Sequence, residues 1–322
     1  MTNPESQGDE SAPDLPSTAS DVPLSYTGSL HLLSAMAAAS ALFDVPISLP
    51  KMQVSPEYTA IIKNFVATPE TGGIGSEPET LLDSIVFLGS FILSSQEASL
   101  PPNDETFTGL LQRLSLLSAN TPSPTLRYHA HLLTSSLLHS HTSDHVRLAF
   151  IKDTLEHCPY ENLKASAVGW LKDEILIADG SPHDHTNDSP SIFATPTVLT
   201  TLAPMLFPDL HSTNQPYEQD HHSFRAHQPF YLAVLNLYYL LLSSQSLFPR
   251  LEIARLIEDY NIREGFLQGL SDVSRVFRAE IGEEDEEALA ELGLVDATLE
   301  MVQDAMSKAK LGGEEAGEGK VG

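Results

Sequence analysis

The stretch Arg147–Ile177, RLAFIKDTLEHCPYENLKASAVGWLKDEILI, decides the fold of this chain. Apolar residues recur at helical spacing on both sides of a Cys-Pro dipeptide, which predicts two helices joined by a short turn. Each predicted helix gathers its apolar residues on one face, Val146, Phe150, Ile151 and Leu155 on the first and Leu163, Ala167, Trp170, Leu171 and Ile175 on the second. One such pair cannot bury its apolar face alone, so the rest of the chain must supply neighbouring helices.

The turn between the two predicted helices contains the single cysteine of the chain. Pro159 has the fixed φ that suits a first helical position, which makes Cys158 the predicted N-cap and Glu161 its N3 partner. A thiol at a helix N-terminus has a lowered pKa, so Cys158 is a redox candidate. The competing interpretation is a half-buried packing residue, because free cysteine is among the most buried residue types. We expect the packing role, and we expect Trp170 to lie in the core.

The remaining segments also show helical spacing, separated by short breaks, and none shows sustained strand alternation. The run 24–43 predicts a buried helix, and Ser55 with Pro56 predicts the start of the next. Phe230–Leu242 is the most apolar segment, too short for a membrane span, and predicts a central buried helix. The chain is therefore predicted to be all-α, with about ten antiparallel helices in an irregular HEAT/armadillo-like helical repeat (an α-solenoid). A compact bundle of two lobes is the alternative.

The predicted domain organisation is one helical-repeat domain, residues 23–311, between two disordered tails. Residues 1–22 are rich in Pro, Ser, Asp and Glu and lack any apolar period, as in a disordered acidic tail; residues 312–322 are rich in Gly and Glu. Two long polar stretches, 179–195 and 208–227, predict mobile insertions. A subdivision of the domain near the first insertion is the alternative.

Charge and cysteine content restrict the partners and the compartment. The 322 residues include 44 acidic and 17 basic side chains, a formal net charge of -27. Such a chain repels phosphate backbones and anionic membrane surfaces, so neither nucleic acid nor membrane is expected as a direct partner. A single cysteine fits a reducing compartment, the cytoplasm or the nucleus. No basic residue precedes Lys51, unlike in a secretory signal or a mitochondrial presequence.

Catalytic and metal-binding patterns find no support in the sequence. Histidines occur in pairs, His129/His131, His139/His141, His183/His185 and His221/His222. A metal site needs three or four convergent ligands in a rigid frame, and these pairs lie at helix edges or in loops. No nucleophile elbow, metalloprotease, phosphate-loop or dinucleotide motif occurs, so we expect no enzyme activity, cofactor or metal.

Three of the few cations lie within the deciding stretch and are candidate protein-binding residues: Arg147, Lys152 and Lys172. The competing interpretation is a solvated helix face, and we expect that one.

The same stretch resembles the signature of the YAP-binding protein/Alf/glomulin family, in which an arginine-led helix meets a Cys-Pro turn and a tryptophan-bearing helix follows. The matching residues are Arg147, Phe150, Leu155, Cys158, Pro159, Leu163, Lys164, Ala167, Gly169, Trp170, Leu171 and Lys172. The resemblance is to a fungal member and mainly to the C-terminal part of the family domain. It implies a HEAT-like protein that binds other proteins and has no enzyme activity.

The resemblance also implies two kinds of partner. Fungal relatives bind an AP-1-like (bZIP) stress transcription factor and support its oxidation by peroxide, and a paralogue is linked to kinetochores. Animal and plant relatives bind the RING subunit of cullin–RING ubiquitin ligases and block recruitment of the charged E2. An adaptor in the oxidative-stress response is the first hypothesis for this chain, and a regulator of cullin–RING ligases is the alternative.

Overall fold

The fold is seen in a computed structural model that describes residues 18, 21–43, 45–68, 73–94, 99–180, 190–211, 221–281 and 285–318, without the side chains of 221–222 and 310–318. These residues form thirteen α-helices and no strand, which confirms the all-α prediction. The helices are α1 (Tyr26–Phe43), α2 (Thr59–Phe65), α3 (Glu79–Leu93), α4 (Asp104–Asn120), α5 (Pro124–Ser140), α6 (Asp144–His157), α7 (Glu161–Gly180), α8 (Pro196–Leu206), α9 (His221–Ser243), α10 (Leu247–Arg250), α11 (Ile253–Asp259), α12 (Gly269–Glu280) and α13 (Glu286–Glu318). Short π-helical turns at Val54–Tyr58 and Ile262–Gln268 precede α2 and α12, and a 3₁₀ turn at Ile192–Ala194 precedes α8.

Helices near in sequence pack against each other along the chain. In the N-terminal half α1 packs on α3, α3 on α5, and α5 on α4. The helix pair of the deciding stretch, α6 and α7, follows, and α7 packs on α4 and on α9. In the C-terminal half α9 packs on α13, and α13 on α12. This succession confirms the irregular helical repeat, and α9 is the central helix predicted for the C-terminal half.

One hydrophobic cluster runs through the described helices, from Leu30 in α1 to Met306 in α13. The apolar arc of α7 is buried as predicted, with Trp170 and Leu171 at 1% and 0% exposure. The indole of Trp170 lies between α5 and α6, with its ring centroid 6.2 Å from that of His131 and 5.6 Å from that of Phe150. The prediction of a core tryptophan is therefore confirmed.

Several helix starts follow the local sequence. Asn103 caps α4, since its side-chain oxygen accepts from the backbone N–H groups of Glu105 (2.7 Å) and Thr106 (3.4 Å). Helix α8 begins at Pro196, directly after its N-cap Thr195, and the fixed φ of proline suits this first helical position. Ser55 has the extended φ and ψ of an N-cap, and the helical backbone continues from Pro56 into α2, so the predicted helix start agrees with the structure although the regular α-helix begins only at Thr59.

The N-terminal helix is less buried than predicted. Only Leu30, Ser34 and Ala37 of α1 are buried, while Leu32 and Phe43 are 50% and 74% exposed. The prediction of a buried helix is wrong for its outer half. The sequence of α1 is apolar on every side, so it predicts a helix. It does not show how many of those sides are covered by neighbouring helices.

Parts of the predicted tails and insertions fall outside the described residues: 1–17, 19–20, 181–189, 212–220 and 319–322. Within the described ones, α7 extends to Gly180 and α9 begins at His221, so helix occupies part of each predicted insertion. Helix α13 passes through Gly293 without a break and continues to Glu318, into the stretch predicted as a tail.

Candidate functional site

A buried carboxylate joins the three helices around the deciding stretch. Glu174 lies on α7 and its side chain is 3% exposed. Its Oε1 lies 2.8 Å from Nδ1 of His139 on α5 and 2.8 Å from Nε of Arg147 on α6. A buried carboxylate is tolerated only when it is paired in this way. We call the group of Glu174, His139 and Arg147, together with Asp144, the polar centre.

Arg147 is fully engaged within the polar centre. One Nη donates to Asp144 Oδ1 at 2.6 Å, and the other donates to the backbone carbonyl of His141. Its guanidinium lies 5.6 Å from the ring centroid of Phe193, a cation–π distance. The Arg147 side chain is 12% exposed. The structure therefore places this candidate binding residue inside the molecule, where it ties α6 to α5 and α7.

The polar centre also fixes the segment that leads to α8. Asp144 Oδ2 accepts a hydrogen bond from the Ser191 hydroxyl at 2.6 Å and from the backbone N–H of Ile192 at 3.0 Å. A single aspartate thus holds Arg147 with one oxygen and the 3₁₀ turn before α8 with the other. The chemistry of this centre is structural, because its contacts, apart from the Asp144–Arg147 pair within α6, join two elements of the chain.

Two candidate lysines lie on the outside of the same helix pair. Lys152 on α6 and Lys172 on α7 are both about half-exposed, with Nζ 3.7 Å from a carboxylate oxygen of Glu156 and of Asp173, respectively. Exposed pairs at this distance contribute little to stability. The structure thus separates the three candidates into one internal arginine and two surface lysines.

Cys158 occupies a different position from the predicted one. It is the C-cap residue of α6, with φ -71° and ψ 129°, and α7 begins at Glu161. The carbonyl of Tyr160 accepts the first backbone hydrogen bonds of α7, from Leu163 (3.0 Å) and Lys164 (3.2 Å). The N-cap prediction is wrong, because Pro159 shapes the turn two residues before the helix begins. Burial raises the pKa of the Cys158 thiol, and a hydrogen bond with the backbone of Tyr160 only partly offsets this.

A groove of about 230 Å³ lies beside Cys158, between α4 and the α6–α7 turn. Its apolar lining comes from Leu116, Phe150, Pro159 and Leu163. Asp153 and His157 stand at the same groove, with 3.2 Å between their side-chain Oδ1 and Nδ1 atoms. We call this the Cys158 groove. An apolar side chain of a partner fits its chemistry better than a reaction does, since the thiol is kept protonated.

The histidine pairs serve packing where the structure describes them. His131 stacks on Trp170, and His139 belongs to the polar centre. Burial lowers the pKa of His131, against a smaller opposing effect from Asp173. Across the described residues no three His, Cys, Asp or Glu side chains converge as a metal site would require. His183 and His185 lie outside those residues, as do the side chains of the 221–222 pair.

The sequence patterns considered above did not identify Glu174 or Asp144 as site residues, although the sequence contains one indication that Glu174 is buried. On the helical wheel of α7, Glu174 falls in the middle of the apolar arc, four residues after Trp170. A charged residue at such a position needs a buried partner, and Arg147 was available in the preceding helix. No comparable signal identifies Asp144, whose contacts with Ser191 and Ile192 join residues 47 and 48 positions apart.

The fold and these sites define a class of protein. The chain is a helical-repeat protein with a structural polar centre and an apolar surface groove. No helix within the described ranges is both long and apolar enough to cross a membrane.

The chain belongs to the uncharacterised protein family YAP/Alf4/glomulin, whose family profile matches residues 14–309. The match covers nearly the whole chain, far beyond the stretch around the Cys-Pro turn. This is a family of protein-binding helical proteins and not a known class of enzyme. Comparison with curated proteins and with solved structures gives no match.

Proposed function

We propose that this protein is a non-enzymatic adaptor in the oxidative-stress response that binds an AP-1-like transcription factor. Membership of the YAP/Alf4/glomulin family is the observation that carries the proposal. The protein would hold the factor in the cytoplasm or nucleus for oxidation by a separate peroxidase. Two cysteine thiols of the factor would then form a disulfide and release two protons and two electrons, while hydrogen peroxide is reduced to two waters.

The charge of the chain supports a partner of this kind. AP-1-like factors are bZIP proteins, whose basic region is a helix rich in Lys and Arg. A chain with a net charge of -27 attracts such a segment, chiefly by increasing the association rate. Complex formation should therefore weaken as salt rises, because exposed charges are screened within about 8 Å at physiological ionic strength.

The proposed contact surface is the outside of the α6–α7 pair. The Cys158 groove on this pair is accessible to an apolar side chain of the factor, and Lys152 and Lys172 would contact acidic residues of the factor outside its basic region. Arg147 acts indirectly in this proposal, by holding the two helices at their relative angle. Leu116→Asp, placed in the groove, should weaken binding at least about tenfold, and the exposed Val276→Asp on α12 is the matched control.

Cys158 is a redox candidate because it is the single cysteine of the chain. We nevertheless propose that it is not the redox element. Its raised pKa reduces the thiolate fraction on which oxidation depends. Cys158→Ser should leave the peroxide response and partner binding unchanged. Complete loss of the response in a variant that still folds would make Cys158 the sensor.

Affinity purification with mass spectrometry, with and without peroxide, tests the proposed function. An AP-1-like factor and a thiol peroxidase should be enriched over a control purification with an unrelated acidic helical protein. Absence of both from the specific partners in peroxide-treated cells would refute the adaptor role.

Regulation of cullin–RING ubiquitin ligases is the second candidate, because glomulin is part of the family description. An acidic surface also suits a basic RING face. Purified protein should then bind a RING subunit and slow E2-dependent ubiquitin transfer. A preparation that does neither rejects this candidate and leaves the adaptor role intact.

A further inference from the structure

The exposed face of α1 has an unusual composition for the surface of such an acidic chain. Asp44 is the only charged residue between positions 22 and 50. The helix uses one face to pack on α3, through Leu30, Ser34 and Ala37, and by a hydrogen-bond contact of 2.9 Å between His31 Nδ1 and Ser84 Oγ. The opposite face is apolar as well, so α1 has two apolar faces and packs only one of them on α3.

The outward face carries a regular seam. Ser29, Leu32, Met36, Ala39 and Phe43 follow one another at spacings of three, four, three and four residues, the spacing by which helices pack along their length. Leu32 is 50% and Phe43 74% exposed, while Met36 and Ala39 are partly exposed. The face is therefore shaped to receive another helix.

We infer that this α1 face binds the α1 face of a second copy of the chain, in an antiparallel helix pair. The distribution of side-chain size along the seam favours this occupant. The bulky residue, Phe43, lies at the C-terminal end, and the small Ser29 lies near the N-terminal end. An antiparallel pair places each phenyl ring over the small end of its partner, with Leu32 next to the partner's Ala39 and the two Met36 side chains meeting in the middle. A parallel pair would oppose Phe43 to Phe43 and leave space at the other end.

The remaining sequence of the same chain fits this face poorly. The segments outside the described residues are polar or acidic, namely 1–17, 19–20, 44, 69–72, 95–98, 181–189, 212–220, 282–284 and 319–322. None of them contains a run of apolar residues at helical spacing that would match the seam. A second α1 supplies that spacing by symmetry, because a two-fold axis presents the same patch twice.

Charge and area predict that the dimer is weak and strengthened by salt. Two chains of net charge -27 repel each other, and added salt screens that repulsion. The uncharged α1 keeps carboxylates away from the contact itself. One helix face is smaller than the roughly 800 Å² per partner of a standard interface, so we expect a dissociation constant in the range of tens of micromolar.

Sedimentation equilibrium tests the inference on the full chain between about 1 and 200 μM, at low and at high salt. We expect a monomer–dimer equilibrium that shifts toward dimer at high salt. Phe43→Glu and, separately, Leu32→Glu should weaken dimerisation at least about tenfold, because each would bury a carboxylate at the seam. Both side chains are exposed in the monomer, so the far-UV circular dichroism should not change. Leu294→Glu on α13, with a similarly exposed leucine, is the control and should dimerise normally.

Cross-linking distinguishes the two orientations in a Cys158→Ser background. With Met36→Cys, an antiparallel pair places the two thiols near each other and a short bis-maleimide should link them. With Ser25→Cys, just before α1, the thiols would be about 30 Å apart in an antiparallel pair and adjacent in a parallel one. A chain that stays monomeric at every concentration, a dimer that survives both glutamate variants, or efficient linkage at position 25 would each overturn the inference.

Discussion

Removal of the Glu174 carboxylate is the perturbation that best tests the structural role of the polar centre. In Glu174→Ala, His139 Nδ1 and Arg147 Nε lose the acceptor that lies 2.8 Å from each of them. Breaking a buried ion pair by deleting one partner costs about 3–5 kcal/mol, because the remaining charge stays buried. Arg147 keeps its contacts with Asp144 and with the His141 carbonyl, so we expect the lower end, about 3 kcal/mol.

The conservative variant separates charge from hydrogen bonding. Glu174→Gln keeps an oxygen at this position and loses the negative charge, so the ion pair with Arg147 is lost while the guanidinium stays charged and buried. The expected loss is about 1–2 kcal/mol. Glu156→Ala, at a half-exposed carboxylate of α6 that pairs with Lys152, is the matched control and should change stability by less than about 0.5 kcal/mol.

The assay is urea unfolding followed by the fluorescence of Trp170, the single tryptophan, which lies one helical turn from Glu174. The free energy of unfolding should fall in the order Glu156→Ala, Glu174→Gln, Glu174→Ala. If Glu174→Ala were as stable as its control, the polar centre would not stabilise the α5–α6–α7 unit, and the structural role assigned to Arg147 would be wrong.

Three further changes have expected outcomes. Trp170→Ala should cost about 3–5 kcal/mol in thermal or urea unfolding, because it empties the space between α5 and α6; a near-neutral result would place the ring at the surface. Gly89→Ala should cost about 1–2 kcal/mol despite its better helix propensity, since a Cβ would lie 2.4 Å from the Tyr58 ring end and 2.7 Å from Leu133 Cδ2; Gly109→Ala, whose Cβ meets nothing within 4 Å, is the control and should be neutral or stabilising. The pKa of the His131 imidazole is lowered from its ordinary 6.5 in the folded protein, so the folded state binds this proton less readily than the unfolded chain. The free energy of unfolding therefore decreases as the pH falls below about 6.5. The melting temperature of His131→Phe should therefore fall less than that of the unmodified chain between about pH 7 and pH 5.5, and equal slopes would contradict the cause given.

The helices and their buried faces could be predicted because helical periodicity is a local signal. The arcs on α6 and α7, the core position of Trp170 and the central role of Phe230–Leu242 all follow from spacing within one helix. The burial of Glu174 could also be predicted from helical periodicity, if charged residues as well as apolar ones are placed on the helical wheel of α7.

The predictions that were wrong concern residues whose positions depend on contacts between distant parts of the chain or on turn geometry. Cys158 and Pro159 fit a helix start by residue type, but the backbone completes its turn before the hydrogen bonds of α7 begin at Tyr160. Arg147 looked like a surface cation, since its partners Glu174 and Phe193 are 27 and 46 residues away in the sequence. The exposed outer face of α1 could not be predicted, because a helix that is apolar on both faces gives no sign of how many neighbours it has.

Direct binding of the purified chain to a purified AP-1-like factor is the measurement that tests the central claim most directly. Isothermal titration calorimetry at two salt concentrations should give a saturable complex whose affinity falls at higher salt, and Leu116→Asp should weaken it while Val276→Asp should not. The absence of heat and of a co-migrating complex at about 100 μM, with a folded factor that still binds its DNA, would contradict the account.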